Sequence, residues 1–100
     1  MSKFTEKYGY DQKLHRLCRE EGIRYLALFG SYARDEAGED SDIDLLVDFM
    51  DSKGLFAFAI LKRKLEEYFQ KKVDLVTIKG ISKYFVDDVK EQLEVIYESN

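Results

Sequence analysis

The sequence predicts an α/β domain of the α+β kind, a small mixed sheet of about four strands flanked by helices. Three observations carry that prediction. A continuous apolar run, Tyr25 to Phe29, stops at Gly30-Ser31; a second strand-like stretch, Asp42 to Phe49, opens on acid; and Phe58, Leu61, Leu65 and Tyr68 recur at helical steps before a third, β-rich stretch at Lys71 to Thr77. At 100 residues and 11.8 kDa the chain has material for one core. It reads as one domain over 1–100, an N-terminal helix at 1–22 followed by a sheet core at 23–98.

Taken in order, Phe4, Tyr8, Leu14, Leu17 and Cys18 are loosely helical in period and Gly22 is a good helix terminator, so Ser2 to Glu21 is expected as a single helix with a frayed start. Its histidine, His15, stands between charged neighbours with no acid or nucleophile near it in sequence, and is read as surface. Ile23 to Phe29 is apolar along its length and is expected as a central strand. A short helix follows at Tyr32 to about Asp35, then an acidic, solvated loop at Glu36 to Asp40. Asp42 to Phe49 is the second strand, closed by a turn cluster at 51–54. The helix from Leu55 to Phe69 carries an aromatic stripe that belongs to the core rather than to a base-stacking surface. The third strand runs from Lys71 to Thr77, a helix from Gly80 to Lys90, and a short last strand from Glu94 to Glu98, with Val95 and Tyr97 on one face, is favoured over a continuing helix.

Chemistry gathers at the ends of the first two strands. Glycine at position 30 lets the backbone turn tightly and approach a ligand, and Ser31 offers a hydroxyl and N–H groups of the kind that hold phosphate. Ten residues later Asp42 and Asp44 fall two apart, so on an extended strand their carboxylates share a face while Ile43, Leu45 and Val47 take the other. Aspartate is a poor strand former, and two of them opening an apolar strand break a local rule in the way functional sites do. All-oxygen ligation suits magnesium with a nucleotide's phosphates. Asp74 repeats the anomaly in the third strand, an aspartate among β-branched and apolar neighbours, and by itself reads as a charge guarding an edge strand.

The net charge of −4 and pI near 5.0 disfavour a nucleic-acid backbone as the main ligand and with it template-directed polymerisation. The lone Cys18 has no internal partner for a disulfide and is expected as a small core residue. No apolar run approaches a membrane span and the N-terminus is not signal-like, so a cytoplasmic protein is expected.

Gly30-Ser31, ten residues, then Asp42-Ile43-Asp44 resembles the signature of the nucleotidyltransferase superfamily shared with DNA polymerase beta. The fuller wording, Phe29-Gly30-Ser31-Tyr32-Ala33-Arg34 and Ser41-Asp42-Ile43-Asp44-Leu45-Leu46-Val47, resembles its smallest members, the minimal nucleotidyltransferases, over Ile23 to Glu98. The resemblance implies a polymerase beta-like fold and attack of an acceptor oxygen on the α-phosphorus of ATP. It implies two Mg²⁺ ions on Asp42, Asp44 and Asp74, with Asp74 as the third carboxylate and Gly30 and Ser31 on the terminal phosphates. Arg34 either reaches a phosphate or pairs with a neighbouring acid. Such proteins resemble the antitoxin halves of modules whose partner is a HEPN ribonuclease toxin, which implies AMP transfer to a tyrosine of the toxin. Two other readings stay open: a binding-only antitoxin, with Tyr10 or Tyr84 as contacts, and transfer to a small molecule, against which the lack of an added acceptor domain counts.

Overall fold

The computed structural model describes residues 1–51, 54–78, 80 and 92–99. Where one N-terminal helix was expected the chain forms two, α1 (Lys3–Tyr8) and α2 (Gln12–Glu20). The break is local chemistry. Gly9 closes α1 by donating its N–H to the Thr5 carbonyl at 2.8 Å, and Asp11 caps α2 by accepting from the N–H groups of Lys13 at 2.9 Å and Leu14 at 3.2 Å. A short acidic side chain that bonds its own backbone in this way favours a cap over a helix interior. The Tyr68 hydroxyl beside it holds the Asp11 carboxyl below the usual carboxylate range.

Nor is the start frayed. Ser2 is buried, caps α1 by accepting the Thr5 N–H at 3.2 Å, and donates its own N–H to Glu94 Oε1 at 2.7 Å, 92 positions away. Phe4 then enters an aromatic cluster, its ring centroid 4.7 Å from Tyr8, 5.2 Å from Phe69 and 5.5 Å from Tyr32. The first turn is thereby tied to the last strand and to the main helix.

β1 (Ile23–Phe29) lies inside a four-stranded sheet, antiparallel to β2 (Ile43–Phe49) on one side and to β4 (Glu94–Glu98) on the other, while β3 (Val73–Thr77) runs parallel to β2. The sheet is mixed, as predicted. A parallel pair needs a long crossover, which α4 (Leu55–Phe69) supplies. Leu61, Leu65 and Phe69 are buried from α4, with Phe58 and Tyr68 packed against them, so the aromatic stripe is core. Gln70 ends the helix in the left-handed conformation, φ +56°, and Glu66 accepts the N–H of Val73 at 2.9 Å, joining helix end to strand start.

The bounds of β1, α4 and β4 coincide with expectation, but the face of β4 does not. Leu26 pairs with Tyr97 and the next residue, Ala27, with Val95, so Ile96 is the extra residue of a β-bulge. Ile96 and Tyr97 are therefore both buried, and Val95 is exposed. The expected helix at Gly80 to Lys90 and part of the turn at 51–54 lie outside the described residues. Among the described residues no helix is long and apolar enough to cross a membrane. Cys18 is fully buried, and burial pushes its thiol up to about 12.

Candidate active site

Sheet register brings the distant signature residues into one row. Phe29, the last residue of β1, pairs with Asp44 of β2, and Asp44 pairs in turn with Asp74 of β3. Gly30 follows Phe29 at φ +75° and opens the one-turn helix α3 (Gly30–Ala33), two residues earlier than expected. A Cβ at Gly30 would overlap Asp44 Oδ2 and stand 2.9 Å from its Cγ. Glycine is thus required here twice, by the backbone angle and by the carboxylate pressed against it.

Asp42 stands just outside β2 and is exposed, where it was expected as the strand's first residue; the ladder begins one residue later, with the Ile43 N–H donating to the Lys72 carbonyl at 2.9 Å. The approach to it is fixed by a small clamp, the Gly38 N–H donating to Ser41 Oγ at 2.9 Å and the Ser41 N–H to the Gly38 carbonyl at 3.2 Å. Asp44 is half-buried and Asp74 exposed. Burial first, then the charges of Asp74 and Asp42, push the Asp44 carboxyl up to about 6; Arg34 acts in the opposite direction. Carboxylate oxygens are hard donors of the kind that suit magnesium. Among the described residues no three His, Cys, Asp or Glu side chains are gathered into a formed ion site.

Arg34 is exposed and stands just past the end of α3. Its Nε donates to Glu36 Oε2 at 3.1 Å and its Nη1 to Gln92 Oε1 at 3.0 Å. Gln92, 58 residues downstream, had no signal in the sequence. Ser31 is half-buried in α3, its carbonyl accepting from the N–H groups of Glu36 at 2.9 Å and Arg34 at 3.2 Å. His15 lies away from all of these, half-buried, with Nε2 2.9 Å from the Gly9 carbonyl and 3.0 Å from that of Ile96.

A mixed sheet in which β1 runs directly into Gly-Ser, and whose next two strands set aspartates against one another, is the architecture of a nucleotidyl-transferring domain. The profile of the Nucleotidyltransferase domain family matches residues 11–96, and the chain belongs to that family. Within it the chain is 42% identical over 96 residues to a Methanocaldococcus jannaschii protein whose name classes it with the protein adenylyltransferases, covering 93% of this chain and 97% of that one. It is similar in fold to a crystal structure of a toxin–antitoxin complex with AMP-PNP, with TM-score 0.74, 27% identity, and 89% of this chain and 73% of that one covered. It is also similar to an MNT antitoxin in complex with a tri-AMPylated HEPN toxin of Shewanella oneidensis, with TM-score 0.69, 25% identity, and coverage of 95% and 73%.

Proposed function

We propose that this chain is a magnesium-dependent protein adenylyltransferase that moves AMP from ATP to a tyrosine hydroxyl of a HEPN-type toxin, acting in the cytoplasm as its antitoxin. The observation that carries the reading is Asp44, wedged between the glycine of the phosphate turn and Asp74. In the reaction the tyrosine oxygen forms a bond to the α-phosphorus, the bond from that phosphorus to the bridging oxygen breaks, and pyrophosphate leaves. Gly30, bare of a side chain, admits the terminal phosphates to the backbone of α3, where Ser31 adds its hydroxyl. Asp42, Asp44 and Asp74 would hold the magnesium ions, which when bound neutralise the triphosphate and stabilise attacking and leaving oxygens. Asp74, exposed on its own strand, stands on the acceptor side and takes up the phenolic proton or orients the group that does. Arg34, held by Glu36 and Gln92, keeps the loop beside Asp44 in place and lends positive charge there. The similarity to named adenylyltransferases and to a complex with an AMPylated toxin supports the choice of acceptor.

The test is intact-mass spectrometry of a candidate HEPN-type partner protein after incubation with this protein and MgATP. AMP adducts on the toxin are expected, and tryptic mapping should place them on tyrosine. An unmodified toxin that is nonetheless bound and inactive would replace this reading with occlusion.

A further inference from the structure

A second feature lies on the other side of β2 from the carboxylates. Successive strand residues point to opposite faces, and Ile43, between Asp42 and Asp44, lines a cleft of about 420 Å³. That volume is within the range of small-molecule sites. The cleft's polar rim is Lys3, Lys7, Lys71 and Asp35, and Tyr8 and Tyr32 are half-buried in its walls. Lys3 and Lys7 are four apart on α1 and so share a helix face, where like charges repel. Lys71 comes from beyond the end of α4.

Charge argues that the cleft is made for an anion. Three lysines and a single acid line it in a chain whose net charge is −4. Among the described residues none of the three lysines is in an ion pair. Lys71 Nζ donates to the Glu39 carbonyl at 3.2 Å, and Lys7 Nζ stands 5.1 Å from the centre of the Tyr8 ring. Asp35 is turned toward the backbone, accepting the Lys3 N–H at 2.9 Å. The aromatic walls add a second requirement, since a ring stacked there gains what a bare anion does not.

We infer that this cleft is a binding site for a nucleoside monophosphate, base against Tyr8 and Tyr32 and phosphate among Lys3, Lys7 and Lys71, separate from the catalytic carboxylates. The inference does not depend on the transfer reaction, because Ile43 and Asp44 direct the two sites to opposite faces of one strand.

The experiment is calorimetric titration of the purified protein with AMP in EDTA, where the unscreened carboxylates disfavour nucleotide at the catalytic site. One equivalent of AMP should bind. Lys3→Gln with Lys7→Gln should weaken it at least tenfold, whereas Lys13→Gln with Lys62→Gln, exposed lysines carrying the same charge change elsewhere, should leave it within twofold. Inorganic phosphate should bind at least tenfold more weakly than AMP. The inference is overturned by absence of binding, by equal loss in both double variants, or by phosphate matching AMP. Displacement of AMP by a non-hydrolysable ATP analogue with magnesium would place AMP in the catalytic site instead and overturn it too.

Discussion

Gly30 and Asp44 compete for one volume: there is no room for a Cβ at position 30 while the Asp44 carboxylate lies where it does. The turn at Gly30 and the half-buried acid are therefore one device, and a change in either reaches the other. Gly30→Ala adds a single methyl in a left-handed backbone position, which costs about 1–2 kcal/mol by itself. It must also push the carboxylate aside. Denaturant unfolding should show a loss of at least that size, and AMP transfer should fall by more than the lost stability explains at saturating folded protein. Wild-type transfer by a stably folded Gly30→Ala would reduce the turn to a structural element.

Asp44 also sets a pH signature for the metal-free protein. Its folded pKa is raised from 3.8 to about 6, opposite to the usual carboxylate, so between those values the folded state holds a proton that the unfolded chain has released. Its contribution is absent below about 4 and becomes increasingly unfavourable as pH rises to about 6. In EDTA, the melting temperature of Asp44→Asn relative to wild type should rise across that window and then level off. A difference curve that stays flat from pH 4 to 7 would show that the carboxyl is not crowded in solution.

Asp74 separates catalysis from binding. Asp74→Asn keeps size and removes one charge from an exposed strand position, so complex formation with the toxin should change by less than about twofold. Transfer of AMP should fall by roughly 10²-fold or more, as when a preorganised electrostatic group is removed from a phosphoryl-transfer site. The two rates are read by pull-down and by mass spectrometry on the same samples. Equal modification by both proteins would return Asp74 to the role of an edge-strand charge, which its place at the end of the described sheet also fits.

The N-terminal turn makes a stability prediction of its own. Phe4 is 8% exposed and touches three other rings, so Phe4→Ala should cost about 3 kcal/mol. Ser2→Ala should cost about 1 kcal/mol through loss of the cap. A frayed terminus predicts no effect for either, and urea unfolding distinguishes the two.

How far the sequence reaches depends on the range of the interaction that decides each feature. Ile23–Phe29, Leu55–Phe69 and Glu94–Glu98 were legible to the residue because apolar period, glycine and β-rich composition are written within a few positions of where they act. The candidate site rests on signals of the same short range: Gly30, Ser31, Asp42 and Asp44 stand out by residue type and spacing. Long-range contacts decided the rest. Only register could set Asp74 across from Asp44, and only packing could make Asp44 the half-buried member of the set while Asp42 and Asp74 stay exposed. The bulge at Ile96 turned on its pairing with β1. Arg34's partner Gln92 and Ser2's partner Glu94 lie 58 and 92 residues away. Local pattern specifies which backbone conformation each segment prefers; which distant side chain a polar group will meet is settled only when the sheet closes and burial leaves it one partner.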